Sequence, residues 1–78
     1  MNLFDNVRSV IAGTLDLPES AITDTTRSDE LTAWDSIGHV NLMMALEQTF
    51  DLELDVESFP TLDSVPAILD YLRQRGFH

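Results

Sequence analysis

The sequence predicts a small all-α fold: a four-helix bundle of three main helices and one short helix, with a long loop between the first two main helices. Apolar residues recur at helical spacing in three separate segments, and 44% of all residues are hydrophobic. No segment alternates polar and apolar residues over a useful length, which argues against strands. With 78 residues in total, residues 1–78 are predicted to form a single domain.

The first helix is predicted over about residues 3–15. Its apolar side chains recur every three or four positions, and they are Leu3, Val7, Val10, Ile11 and Leu15. Asn2 is the expected N-cap, and Asp5 lies near the positive end of the helix dipole. Residues 16–35 are rich in Ser, Thr and Asp and are predicted to form the long loop, interrupted by short helical turns.

The second helix is predicted over residues 36–50 and has two apolar arcs, each about 100° wide. The arc expected to face the core contains His39, Leu42, Met43, Leu46 and Phe50. The other arc contains Ser36, Ile37, Val40, Met44 and Glu47. Either the bundle surrounds this helix and buries both arcs, or the second arc stays exposed as a surface for partner proteins. Methionine suits such a surface because its side chain is flexible and polarizable.

A connector over residues 51–55 leads to a short helical turn over residues 56–59, which Asp55 is expected to cap and Pro60 to end. The last helix is predicted to begin after Asp63 or Ser64 as N-cap and to stop near Gly76. Its apolar face consists of Val65, Ile68, Leu69 and Leu72.

Composition excludes several functions. The chain has no cysteine, so it can form neither disulfides nor a thiolate metal site, and it has no thiol of its own. Its net charge of −10 repels nucleic acids and anionic lipids and favours partners with basic surfaces. It contains no apolar run long enough to span a membrane, and its first 20 residues lack a signal-peptide pattern. We therefore expect a cytoplasmic protein that binds neither nucleic acid nor membrane.

Ser36 begins the second helix, and two interpretations of it are open. Serine is a favoured N-cap, so Ser36 can serve only as the cap of this helix. Alternatively, a phosphate on its hydroxyl would be stabilised by the free N–H groups and the dipole of the helix. Gly38 costs the helix roughly 0.5–1 kcal/mol relative to alanine, and we expect it to leave room for an approaching molecule.

Two other kinds of site receive little support. A hydrolytic triad needs a histidine beside the serine, but His39 is predicted to turn toward the core, against the loop or a backbone carbonyl. Acidic residues alternate over residues 51–57, but a calcium loop starting at Asp51 would need glycine and glutamate where Val56 and Leu62 stand. We predict no catalytic residue and no metal site.

Residues 34–50, Trp-Asp-Ser-Ile-Gly-His-Val-Asn-Leu-Met-Met-Ala-Leu-Glu-Gln-Thr-Phe, resemble the phosphopantetheine attachment region of the acyl carrier protein family. The core of that motif is Asp-Ser-Leu or Asp-Ser-Ile, followed by a helix that ends in an acidic residue and Phe. The chain length, the acidic charge and the order of helices also fit this family. The resemblance implies a non-catalytic carrier that holds acyl or aminoacyl groups as thioesters.

Carried over by position, the resemblance implies that Ser36 bears a covalent 4′-phosphopantetheine arm derived from coenzyme A. Asp35 would assist the magnesium ion in the complex with a phosphopantetheinyl transferase. Ile37, Val40, Met44 and Glu47 would contact partner enzymes. These partners would include an acyl-loading ligase or acyltransferase and the downstream biosynthetic enzymes. The resemblance also implies a monomer, as is usual for small carriers.

The second helix departs from carriers of bacterial fatty acid synthesis, which are much more acidic there. Asn41, Gln48 and Thr49 are neutral, and Glu47 is the only acidic residue within this helix. The chain therefore looks more similar to free-standing carriers of specialised polyketide, peptide or related pathways. An alternative from another class is an acidic helical interaction module, or an inhibitor, that is never modified.

Overall fold

The computed structural model describes residues 2–78 and confirms the all-α bundle. Its three α-helices are α1 (Leu3–Leu15), α2 (Ser36–Phe50) and α3 (Val65–Gln74). The short fourth helix is a 3₁₀ helix, Val56–Thr61, and two 3₁₀ turns, Glu19–Ala21 and Ser28–Glu30, interrupt the long loop. Within residues 2–78, none of the helices is long and apolar enough to cross a lipid bilayer.

Helix α1 has the predicted bounds because its first turn is doubly capped. The Asn2 side chain accepts a hydrogen bond from Asp5 N, and the Asp5 side chain accepts one from Asn2 N. This capping box satisfies two N–H groups that lack partners within the helix. The helix ends at Asp16, whose left-handed backbone (φ 57°) turns the chain into the loop.

Helix α2 also has the predicted bounds. Its N-cap, however, is not Ser36, so the interpretation of Ser36 as the capping residue is wrong. The N-cap is Asp35, whose Oδ1 accepts a hydrogen bond of 2.8 Å from Gly38 N. An aspartate caps well because its carboxylate accepts a hydrogen bond from the first turn and because its negative charge is stabilised by the positive end of the helix dipole. Ser36 therefore occupies the first helical position, where its hydroxyl is not needed for the cap.

The short helix extends further than predicted. It continues through Pro60 to Thr61 rather than ending before the proline. Pro60 has no N–H to donate, but hydrogen bonds on its far side continue the turn: Thr61 Oγ1 donates to Ser58 O at 2.7 Å and Leu62 N donates to Phe59 O at 3.2 Å. Ser64 caps α3 by accepting a hydrogen bond from Ala67 N, and Gly76 follows the helix with φ 94°. The two predicted ends of the last helix are thus confirmed.

The core lies between the three helices and is closed on one side by the long loop. The predicted apolar face of α3 is fully buried, as are Leu42, Met43 and Leu46 of α2. Phe50 is half-buried and packs edge-on against Phe77, with ring centroids 5.1 Å apart. These α2 residues confirm the predicted core arc.

The long loop is anchored to the beginning of α3 by backbone hydrogen bonds. Val65 N donates to Thr26 O and Ser28 N donates to Asp63 O, each at 2.8 Å. The side chains of Ile22 and Trp34 enter the core from the loop. These contacts hold the segment that precedes Ser36 close to the N-terminal end of α3.

Candidate functional site

Ser36 lies at the exposed N-terminal end of α2. Asp35 makes the cap hydrogen bond, so the Ser36 hydroxyl remains available at the positive end of the helix dipole. Both side chains are exposed to solvent. A group attached to this hydroxyl would therefore extend away from the core.

Gly38 allows the loop to pass close to the first turn of α2. A Cβ atom at this position would lie 2.5 Å from Ala33 O and 3.0 Å from Leu15 Cδ2. The expectation that Gly38 leaves room for another molecule is therefore wrong, because the space is filled by this chain's own loop and α1. Gly38 contributes to the site because its lack of a side chain allows this close packing next to Asp35.

His39 connects the loop, α2 and the short helix. Its Nδ1 accepts a hydrogen bond of 2.9 Å from Trp34 Nε1, so its Nε2 carries the proton and donates to Phe59 O at 2.6 Å. The predicted contact with a backbone carbonyl is confirmed. Since both ring nitrogens are bonded, His39 is not arranged to take a proton from Ser36.

A shallow cleft of about 330 Å³ opens beside Ser36. Trp34, His39 and Pro60 supply its apolar and aromatic lining, and Ser28, Asp35 and Asp63 supply polar groups. The cleft lies between the end of the long loop and the beginning of α3. It leaves space next to the serine for the first atoms of an attached group.

The second arc of α2 is exposed rather than buried. Ile37, Val40 and Met44 have 75%, 46% and 50% of their surface accessible to solvent. The interpretation in which the bundle buries both arcs is therefore wrong. Exposed apolar side chains next to one another are typical of surfaces that bind other proteins.

Glu47, the fifth member of this arc, is half-buried and has a structural contact. Its Oε2 accepts a hydrogen bond of 2.9 Å from Leu54 N, which follows the left-handed turn at Asp51. One carboxylate oxygen is thus used to hold the connector against α2. The exposed part of α2 consequently presents neutral side chains to a partner.

The acidic residues are distributed outside this surface. Asp51, Glu53, Asp55 and Glu57 are all exposed along the connector and the start of the short helix. Among residues 2–78, no group of three or more His, Asp or Glu side chains is arranged to hold a metal ion.

Two features of the site were missed in the sequence. The Trp34–His39 hydrogen bond joins residues five positions apart across a helix end, and no periodicity signals it. Val56 was read as part of a short turn, but 77% of its surface is exposed. The one sequence signal for this exposure was the position of Val56 between two acidic residues, Asp55 and Glu57.

A family model described as a phosphopantetheine attachment site matches residues 5–72. The matched range covers most of the chain and includes all of α2, most of α1 and α3, the residues that line the cleft, and Ser36.

Proposed function

Because this chain belongs to the phosphopantetheine attachment family of carrier proteins, whose members carry covalent 4′-phosphopantetheine, we propose that Ser36 is the attachment residue. The observation that carries this proposal is that capping of α2 and exposure of a hydroxyl at its start fall to two different residues. Asp35 caps the helix, which leaves the exposed Ser36 hydroxyl free at its positive end. We also propose that residues 1–78 act as a single carrier domain.

Attachment would proceed on a phosphopantetheinyl transferase. Ser36 Oγ attacks the phosphorus of coenzyme A that bears the pantetheine, and the bond from that phosphorus to the bridging oxygen breaks. Adenosine 3′,5′-bisphosphate leaves, and the hydroxyl proton is transferred to a base of the transferase or to water. The arm supplies the thiol that this sequence lacks, on which acyl or aminoacyl groups are held as thioesters.

Carrier domains of this family are generally non-catalytic and work with transferases and biosynthetic enzymes. For this chain we propose a loading ligase or acyltransferase and downstream enzymes as partners, in a specialised polyketide, peptide or related pathway. The neutral exposed side of α2 supports this choice, since its only acidic side chain, Glu47, is bonded to Leu54 N. We propose that the protein acts as a cytoplasmic monomer.

The proposed function is tested by intact mass. Coexpression with a broad-specificity phosphopantetheinyl transferase should increase the mass of the protein by one phosphopantetheine group. If the mass stays unchanged with several such transferases, the chain is not a carrier, and the unmodified interaction module becomes the better interpretation.

Asp35→Asn should separate the capping role of Asp35 from its proposed role in binding magnesium. Asparagine caps helices about as well as aspartate, so the melting temperature should hardly change. Magnesium prefers carboxylate ligands, so the rate of arm attachment should fall at least roughly tenfold. Initial rates measured by mass spectrometry test this, with Asp35→Ser as a second neutral cap. An unchanged rate in both variants would remove Asp35 from the site.

Val40→Glu and Met44→Glu should weaken partner binding without unfolding the protein. Each places a charge in the centre of the apolar surface, and kcat/KM for arm attachment should fall roughly tenfold or more. Stability should change by no more than about 0.5 kcal/mol, because both positions are exposed.

Thr49→Glu is the matched control for these two variants. Thr49 is exposed on the same helix but lies roughly 150° around the axis from the centre of the surface formed by Ile37, Val40 and Met44. It adds the same charge and should leave kcat/KM within twofold of the wild type. A comparable loss in Thr49→Glu would mean that charge on the whole helix, and not burial of this surface, controls binding.

A further inference from the structure

Trp34 and His39 form a hydrogen-bonded pair that neither the cap of α2 nor the attachment chemistry uses directly. Trp34 Nε1 donates to His39 Nδ1 at 2.9 Å, and the two rings are stacked with their centroids 6.2 Å apart. The Trp34 side chain is buried, so its N–H depends on a partner within the protein. A buried donor without an acceptor is costly, and His39 provides the acceptor.

The other ring nitrogen of His39 binds the short helix. His39 Nε2 donates to Phe59 O at 2.6 Å, and the Phe59 ring lies edge-on to the imidazole. Phe59 O also accepts a hydrogen bond of 3.2 Å from Leu62 N, so this carbonyl keeps a partner if His39 is replaced. Trp34 is therefore the group that depends on His39.

The bond between Trp34 and His39 closes a ring of chain that contains the proposed attachment residue. Trp34 directly precedes the cap residue Asp35 and Ser36. His39 N donates to Asp35 O at 2.8 Å, so the Asp35 backbone is held by the first turn of α2 on one side. On the other side it is held by the buried indole. Ser36 lies between these two anchors.

We propose that His39 is a positioning residue for attachment of the arm: by accepting the Trp34 N–H, it fixes the backbone that carries the Ser36 hydroxyl. The inference rests on the proposed function of Ser36. Attack on phosphorus requires a defined position of the nucleophile, and a displacement of about 1 Å can cost roughly 100-fold in rate. His39 acts through Trp34 and takes no part in proton transfer, since both of its ring nitrogens are already bonded.

The position of His39 on α2 separates this role from partner docking. His39 lies roughly 130° around the helix axis from the centre of the exposed surface formed by Ile37, Val40 and Met44. A transferase that docks on that surface does not need to contact the imidazole. Replacing His39 should therefore lower kcat for arm attachment and leave KM for the apo protein unchanged.

The test compares His39→Leu with His39→Gln as apo substrates of a broad-specificity phosphopantetheinyl transferase with coenzyme A. Leucine offers no acceptor to Trp34, so kcat should fall roughly tenfold or more while KM stays within about twofold of the wild type. Glutamine carries an acceptor and a donor on one planar amide, as the neutral imidazole does on its ring, and should keep kcat within about threefold.

Nuclear magnetic resonance reports the hydrogen bond independently of activity. The chain contains a single tryptophan, so one indole N–H signal belongs to Trp34. Loss of the acceptor in His39→Leu should move this signal upfield, whereas His39→Gln should keep it near the wild-type position. Across the variants, kcat should follow the position of this signal.

Asn2→Ala is the matched control for loss of stability. Asn2 caps α1 about 20 Å along that helix from Leu15, the α1 residue that packs next to Gly38. Loss of this cap and loss of the Trp34 acceptor should each lower the melting temperature by about 4 °C or more. Asn2→Ala should nevertheless keep kcat within about twofold of the wild type, measured at a temperature where all variants are folded.

Four results would overturn the inference while the wild type still gains its arm. They are an unchanged kcat in His39→Leu, an equal loss of kcat in Asn2→Ala, a rise in KM in place of the loss in kcat, and a low kcat in a variant whose indole signal matches the wild type. If the wild type itself gains no arm, the proposed function is wrong, and His39 has no such reaction to position.

Discussion

Ser36→Ala is expected to abolish attachment of the arm completely and to leave the stability of the fold nearly unchanged. The hydroxyl is the proposed nucleophile, and alanine offers no substitute for it. The cap of α2 is made by Asp35, so removing the Ser36 side chain breaks no cap hydrogen bond. Alanine is also the best helix former, which favours the first turn. Intact mass after coexpression and urea unfolding measure the two effects separately.

Ser64→Ala is the matched control and should give the opposite pair of results. Ser64 begins a helix as Ser36 does, but its side chain accepts the cap hydrogen bond from Ala67 N. Its loss should lower the free energy of unfolding by about 0.5–2 kcal/mol, while the arm is still attached. A stability loss in Ser36→Ala as large as that in Ser64→Ala would show that Ser36 is a capping residue after all.

Gly38→Ala should destabilise the protein although alanine favours helices. The new Cβ would lie 2.5 Å from the backbone oxygen of Ala33 and 3.3 Å from Asp35 Oδ1. A backbone carbonyl cannot rotate away as a flexible side chain can, so the loop must shift. Overpacking of this kind typically costs about 1–3 kcal/mol, which exceeds the helical gain of roughly 0.5–1 kcal/mol. Because the shift moves the cap of α2, arm attachment should also become slower.

Gly13→Ala provides the comparison for Gly38→Ala within the same fold. Gly13 is exposed in α1, and a Cβ there would meet nothing within 4 Å. This variant should be stabilised by about 0.5–1 kcal/mol, so the two glycine substitutions should differ in sign. Urea unfolding of both variants checks this, and equal stabilisation in the two would contradict the close approach of the loop to α2.

The sequence was sufficient for the bounds of α1 and α2 and for the division of α2 into two arcs. Helical periodicity is strong in both segments, and the residues that cap and end them have clear preferences. The start of α3 was predicted as one of two residues, and the structure selects Ser64. These features depend on local spacing and backbone chemistry, which a single sequence contains.

The details that depend on tertiary contacts were not predictable in the same way. Serine and aspartate are both good caps, so the choice of Asp35 over Ser36 depended on the backbone of one turn. The reason for Gly38 lies in the path of the loop, which has no periodic pattern. The bonds of His39 with Trp34 and Phe59 join three separate segments, and no periodic pattern in the sequence connects these segments.

The most direct measurement is fragmentation mass spectrometry of the protein coexpressed with a broad-specificity phosphopantetheinyl transferase. The chain contains six serines, of which Ser28 and Ser36 line the cleft. We expect one phosphopantetheine group per chain, located on Ser36 alone. An arm on Ser28 or on any other residue, or the absence of an arm, would contradict the assignment of Ser36 as the attachment site.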